Sequence, residues 1–122
     1  MGHAVNKEAI KLRTKQFALR IIQLVQSLPK NPTVDVIGRQ LLRSGTSVGS
    51  NYRSACRARS TAEFISKMGI VEEEAEESLF WMELLIENNL MKKEKLELLM
   101  KEADEIVSII VSFIKTAKSR KQ

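Results

Sequence analysis

The sequence has very little histidine and cysteine. It contains one histidine, His3, and one cysteine, Cys56, among 122 residues. One cysteine cannot form a disulfide within the chain, which fits a reducing compartment. A zinc site of Cys and His ligands cannot be assembled within one chain. Because we expect the N-terminus around His3 to be frayed, no Ser-His-Asp or Cys-His catalytic device is available in the folded part of the domain. We therefore expect no metal, no cofactor and no enzymatic activity.

Proline, glycine and aromatic residues are also scarce. There are 2 prolines and 5 glycines, and aromatic residues make up 5% of the chain. A β-sandwich or barrel needs turn residues between all of its strands, so both are disfavoured. The sequence is also without an apolar run long enough for a membrane span and without a signal-peptide cleavage site. These absences predict a cytoplasmic, all-α protein with no membrane partner.

Hydrophobic spacing predicts four helices in a single domain, 1–122. Their expected ranges are about 6–28, 34–59, 61–89 and 93–118. Pro29 and Pro32 separate the first two helices, and a capping box of Ser60 and Glu63 begins the third. Seven apolar residues form a heptad seam on the fourth helix: Leu96, Leu99, Ala103, Ile106, Ile110, Phe113 and Ala117. Short connections between long helices predict an antiparallel up-down-up-down four-helix bundle.

Small residues are concentrated at positions 44–50 of the predicted second helix, and they include Gly45 and Gly49. One interpretation is a loop that splits the helix, because glycine is unfavourable in a helix interior. The other is a continuous helix whose small residues let a neighbouring helix approach closely. We favour the continuous helix, because the apolar spacing runs unbroken through the segment.

Positive charge is concentrated in the first half of the chain. Residues 1–59 carry 11 Lys or Arg and 2 Asp or Glu, whereas residues 60–91 carry 1 and 8. On a helical wheel, four arginines of the second helix fall within about 80°, opposite the apolar stripe: Arg39, Arg43, Arg53 and Arg57. Guanidinium groups beside the hydroxyls of Thr46 and Ser50 suit phosphate oxygens. We predict binding to the backbone of RNA or DNA; a solvated or salt-bridged face is the alternative.

An acidic run occupies residues 72–77 of the third helix. Its members Glu72 and Glu76 continue as a stripe with Glu83 and Glu87. Such a stripe resembles the carboxylates of di-iron bundles, but those sites need a Glu-x-x-His motif that this chain does not contain. We expect ion pairs with arginines or lysines of a neighbouring helix instead.

The third helix carries two apolar stripes where a lone bundle needs one. The expected core stripe is Phe64, Met68, Val71, Ala75, Leu79, Met82 and Ile86. The far side holds Ile70, Phe80, Trp81, Leu84 and Met91, with Glu73 and Glu77 beside them. Flanking strips add Leu42, Gly49 and Cys56 on the second helix, and Met100, Val107 and Ile114 on the fourth. Apolar strips of this extent predict a homo-oligomer whose interface includes Ile70, Phe80, Trp81, Leu84 and Glu77.

Several short motifs between residues 38 and 85 resemble a known family. They are Gln40-Leu41-Leu42-Arg43-Ser44, Thr46-Ser47-Val48, Asn51-Tyr52-Arg53, Glu63-Phe64-Ile65 and Glu76-Glu77-Ser78-Leu79, followed by Trp81 and Glu83. The pattern is similar to the bacterial four-helix-bundle proteins encoded in intervening sequences of 23S ribosomal RNA genes. The resemblance implies a homopentamer without known catalysis that binds nucleic acid. The accessory protein of diversity-generating retroelements is similar in fold and binds nucleic acid and a reverse transcriptase. A scaffold or protein-interaction module, for example a reverse-transcriptase accessory subunit, is therefore the alternative function.

Overall fold

The computed structural model describes residues 6–121, which form four α-helices and no strand. The helices are α1 (Lys7–Gln26), α2 (Pro32–Cys56), α3 (Thr61–Glu87) and α4 (Lys93–Lys121). Each helix packs against the next along the chain, and α1 also touches α4, whereas no diagonal pair is in contact within this range. The predicted antiparallel four-helix bundle is confirmed.

Side-chain caps fix the beginnings of the first three helices. Asn6 accepts a hydrogen bond from the Ala9 backbone N–H (2.8 Å), and Asn31 accepts one from Val34 (2.9 Å). The helix α2 begins two residues earlier than predicted because Pro32 occupies the first helical position, where its missing N–H costs nothing. In the expected capping box of α3, the Glu63 N–H donates to the Ser60 hydroxyl (3.1 Å).

The predicted ends of the helices need small corrections. Helix α1 ends at Gln26, α2 at Cys56 and α3 at Glu87, each two or three residues before the predicted end. Asn89 has a φ of 57° in the turn between α3 and α4, which stops α3 from continuing. Helix α4 instead runs to Lys121, three residues beyond its predicted end.

Helix α2 is continuous through residues 44–50, as we favoured, because its glycines face α1. A Cβ on Gly45 would lie 2.8 Å from Cγ1 of Ile21, and one on Gly49 would lie 3.4 Å from the Thr14 carbonyl oxygen. Gly49 therefore packs against α1 of its own chain. Its expected place in an intersubunit strip with Leu42 and Cys56 is wrong, since the missing side chain serves the α1 contact.

The buried stripe of α3 is rotated relative to the prediction. Ser78 and Leu85 are buried, whereas Leu79 and Ile86 are only half-buried. Helix α3 packs more extensively against α2 than against α4, so the face turned toward α2 is the more deeply covered. There the Ser78 hydroxyl meets the Ser44 hydroxyl at 2.9 Å and donates to the Glu74 carbonyl oxygen. Ser78 can be buried because its hydroxyl has hydrogen-bond partners, so hydrophobic spacing alone does not predict its burial.

Candidate nucleic-acid interface

The outer face of α2 carries the four predicted arginines. Arg39, Arg43, Arg53 and Arg57 are all exposed, because the opposite side of the helix is buried. That buried side holds Val34, Ile37, Leu41, Val48, Tyr52 and Ala55. At 1.5 Å per residue, a gap of about 15 Å separates Arg43 from Arg53. The face is therefore divided into two arginine pairs with hydroxyl side chains between them.

Arg43 differs from the other three because it is bound to α3. Its guanidinium donates to Glu74 Oε1 at 3.1 Å and forms a short ion pair with Glu77. It also donates to Gln40 Oε1 at 3.2 Å. The hydrogen bond that Arg43 donates to Glu77 raises the pKa of Arg43. A phosphate at this position would have to compete with two carboxylates.

Glu77 is the centre of this small network. Besides its ion pair with Arg43, it accepts a hydrogen bond from the Trp81 indole N–H at 2.9 Å. Both interactions favour the carboxylate, first Arg43 and then Trp81, so the pKa of Glu77 lies below its usual value. This carboxylate, predicted to lie in an oligomer interface, is thus held by side chains of its own chain.

The expected ion pairing of the acidic run is confirmed for two of its members. Glu74 and Glu77 pair with Arg43, as described above. The carboxylate stripe singled out in the sequence behaves differently: within residues 6–121, Glu72, Glu76, Glu83 and Glu87 form no ion pair. The pairing glutamates face α2, whereas the stripe lies on the side of α3 away from it.

Arg39, Arg53 and Arg57 remain available to a ligand. In the described part of the chain, none of the three has a carboxylate within ion-pair distance. Ser50 is exposed between them, and its hydroxyl donates to the Ser47 carbonyl oxygen at 3.3 Å. The face therefore offers three unpaired guanidinium groups and an accessible hydroxyl oxygen.

The predicted interface residues of α3 are exposed to different degrees. Ile70 and Phe80 expose 39% and 49% of their surface. Trp81 and Leu84 are half-buried and pack against the core. The rings of Phe80 and Trp81 meet edge to face with centroids 5.0 Å apart. The apolar surface on the outside of α3 is therefore narrower than the sequence suggested.

Exposed leucines elsewhere were missed in the sequence. Leu12 and Leu19 on α1 are 56% and 49% exposed, and Leu98 on α4 is 71% exposed. The spacing of seven residues between Leu12 and Leu19 puts both on one outer face of α1, a signal that the core stripe obscured. Leu12 and Leu19 give α1 an apolar strip of its own.

A second ion-pair network, also unforeseen, joins α1 to α4. Arg13 donates to both carboxylate oxygens of Glu102, at 2.6 and 2.9 Å, and also pairs with Glu105. The hydrogen bond to Glu102 raises the pKa of Arg13. Contact between α1 and α4 is sparse compared with the other neighbouring pairs. No local pattern could reveal a pair that is so distant in sequence.

Two further features concern sites of other kinds. Residues 6–121 contain no group of three or more His, Cys, Asp or Glu placed to hold a metal ion. No helix in the same range has the length and apolar character to cross a membrane. The single histidine, His3, lies outside the described residues.

The protein is thus an antiparallel four-helix bundle whose second helix carries exposed arginines on its outer face. A family model described as 23S rRNA-intervening sequence protein matches residues 7–112. The chain belongs to the 23S rRNA-intervening sequence protein family, which confirms the resemblance seen in the sequence.

One similar solved structure comes from Bacteroides thetaiotaomicron VPI-5482 and is described as a protein with unknown function from the S23 ribosomal protein family. It is 39% identical, covers 87% of this chain and 98% of its own, and superimposes with a TM-score of 0.82. A comparison with curated proteins finds no match.

Proposed function

We propose that this chain is a non-catalytic, self-associating protein that binds the backbone of RNA or DNA through the outer face of α2. The observation that carries the proposal is the exposure of Arg39, Arg53 and Arg57 on one face without carboxylate partners in the described chain. Guanidinium groups in such positions bind phosphate oxygens with bidentate geometry. The family description, which refers to an intervening sequence of ribosomal RNA, is consistent with a nucleic-acid ligand.

Binding through this face should show little sequence preference. No aromatic side chain lies between the arginines on which a base could stack, and phosphate contacts carry no sequence information of their own. The non-catalytic part of the proposal rests on the residue inventory: the chain has one histidine and one cysteine, and hydrolysis by its glutamates alone would need a metal ion.

A charge-matched pair of variants tests the arginine face. Arg53→Gln with Arg57→Gln removes two charges from the face, and Arg20→Gln with Lys101→Gln removes two exposed charges elsewhere. Fluorescence anisotropy with labelled single-stranded RNA and duplex DNA should show weaker binding for the first variant only. Equal weakening in both would contradict a specific face and leave only a general attraction to positive charge.

Two exposed apolar strips support self-association, because one is flanked mainly by basic side chains and the other by acidic ones. Leu12 and Leu19 on α1 lie beside Lys15, Gln16 and Arg20, with Glu8 and Glu102 at the edge of the strip, whereas Ile70 and Phe80 on α3 belong to the acidic segment. Helices α1 and α3 are diagonal in the bundle, so their outer faces point in opposite directions. The α1 strip of one copy can therefore bind the α3 strip of the next, a heterologous contact that closes into a ring when the rotation allows.

Complementation between two variants tests this contact. Leu12→Glu and Phe80→Glu should each remain at a mass near 13.9 kDa in light scattering, because every contact then includes one damaged strip. A mixture of the two should form dimers, because the intact α1 strip of one variant meets the intact α3 strip of the other. Val36→Glu, at an exposed residue of α2, serves as the control. A monomeric parent, or no recovery in the mixture, would refute the contact.

A protein-interaction scaffold, such as a reverse-transcriptase accessory subunit, is the second candidate function. It is favoured by the exposed leucines and by Arg43, whose charge is used to join α2 to α3. An oligomer that fails to bind any nucleic acid at low salt would support this candidate over the first.

A further inference from the structure

The two ends of the bundle differ sharply in charge. Antiparallel packing brings the start of α1, the α2–α3 connection and the end of α4 to the same end. The corresponding segments, 7–11, 53–67 and 113–120, carry nine Lys or Arg and two Glu, a net charge of +7. The opposite end, formed by residues 24–39 and 80–98, carries five basic and five acidic residues and has no net charge.

The few carboxylates at the basic end are already used within the chain. Glu8 pairs with Lys11 at 3.2 Å, and Glu63 accepts a hydrogen bond from the Arg59 backbone N–H at 2.8 Å. Seven exposed cations at this end have no ion-pair partner among residues 6–121: Lys7, Arg53, Arg57, Arg59, Lys115, Lys118 and Arg120. The excess charge therefore faces solvent.

Helix stability does not account for this accumulation. Cations near the C-termini of α2 and α4 complement the negative ends of those helix dipoles. Arg59, however, directly precedes the N-cap of α3, where the positive end of the dipole makes a cation unfavourable. Cations thus lie at the C-termini of α2 and α4 and also at the N-terminus of α3, where the helix dipole disfavours them. This arrangement favours an external anion as the ligand of the basic end.

We propose that the nucleic-acid backbone binds chiefly across this basic end of the bundle, entering the α2 face at Arg53 and Arg57 without reaching Arg39 at the opposite end. This inference rests on the proposed function and specifies where on the molecule it is carried out. Neighbouring helix axes lie about 8–10 Å apart, so the ends of α2, α3 and α4 span ~20 Å. A duplex presents a phosphate every ~3.4 Å along each strand, so a surface of this width is about six base pairs long.

The opposite half of the α2 face is less suited to a polyanion. Arg43 is neutralised by Glu74 and Glu77, and Arg39 lies at the end of the bundle where the segment charges cancel. An extended anion that continued from Arg53 toward Arg39 would pass these carboxylates. The path across the bundle end meets Arg59 and the last turns of α4 instead.

Two triple variants on the same helix test the inference. Lys115→Gln, Lys118→Gln and Arg120→Gln remove three charges from the basic end, while Lys93→Gln, Lys95→Gln and Lys101→Gln remove three exposed charges from the rest of α4. The probe is a labelled single-stranded RNA about 20 nucleotides long, more than small single-strand-binding domains cover. The slope of log affinity against log salt should become shallower by about 2 for the first variant, given ~0.7 per phosphate contact. The second variant should retain the parent slope.

Every other outcome identifies which claim has failed. If both triple variants change the slope equally, or neither does, binding is not located at the basic end. If Arg39→Gln lowers the slope while the basic-end variant does not, the α2 face binds nucleic acid and the inference about the bundle end is wrong. If the parent binds neither RNA nor DNA at low salt, the proposed function itself is wrong.

Discussion

Replacing Gly45 by alanine should destabilise the bundle, although alanine is the better helix former. The added Cβ would lie 2.8 and 2.9 Å from Cγ1 and Cγ2 of Ile21, well inside the 3.5–4.0 Å of a normal carbon–carbon contact. Ile21 is fully buried, and its β-branched side chain has one strongly preferred rotamer in a helix, so it has little freedom to move away. Relief must come from separating α1 and α2.

The expected size follows from two opposing effects. Overpacking costs about 1–3 kcal/mol, and the gain in helix propensity from glycine to alanine is about 1 kcal/mol. Gly45→Ala should therefore lower the free energy of unfolding by about 1 kcal/mol. At Gly69 of α3, a Cβ would have no neighbour within 4 Å, so Gly69→Ala should raise it by up to about 1 kcal/mol. The difference between the two variants isolates the overpacking cost.

Urea unfolding at one fixed protein concentration measures both variants, since the stability of any protein that self-associates depends on its concentration. Adding Ile21→Ala removes the two clashing carbons, so this change should cost less in the Gly45→Ala protein than in the parent. If Gly45→Ala proved as stable as Gly69→Ala, α1 would not pack against Gly45 as closely as described.

Two more predictions concern the core and the ion-pair network. Ile110→Asp should lower the free energy of unfolding by several kcal/mol, because it buries an unpaired carboxylate. Ser108→Asp, on the exposed side of α4, should change the free energy of unfolding by less than about 0.5 kcal/mol. Equal stabilities of the two variants would refute the buried seam of α4. Because the pKa of Glu77 is lowered on folding, its contribution to stability is present above the ordinary pKa of glutamate and is lost as the pH falls through the lowered value. The stability of the parent should therefore fall as the pH drops below about 4.5, and Glu77→Gln should make this fall smaller, whereas the control Glu76→Gln should not. Urea titrations at several pH values, followed by the fluorescence of Trp81, measure the fall. Parallel curves for Glu77→Gln and the parent would argue against the network of Arg43, Glu77 and Trp81.

The architecture was predictable because it depends on repeated local signals. Apolar residues at helical spacing recur over many turns of α2 and α4, so single exceptions do not shift the buried face. The stripe of α3 was harder to place, because its apolar residues lie on several sides and its buried position 78 is a serine. Its hydroxyl is buried because it bonds to the Ser44 hydroxyl of another helix as well as to the Glu74 carbonyl oxygen of its own helix.

The candidate site was predictable as a helix face and not as a set of contacts. The wheel position of the arginines depends only on helical geometry, and all four are exposed. The pairing of Arg43 with Glu74 and Glu77 depends on the register between α2 and α3, which the sequence does not specify. The basic end differs in this respect, since residues 53–67 and 113–120 come together through the antiparallel packing that the sequence does predict.

The salt dependence of nucleic-acid binding by the unaltered protein tests the central claim most directly. Three unpaired arginines on the α2 face should give a log–log slope of about −2 with single-stranded RNA or steeper, at ~0.7 per neutralised phosphate. The slope should be the same for RNAs of different sequence. Binding whose affinity does not change with salt, or no binding at low salt, would contradict a backbone-binding arginine face.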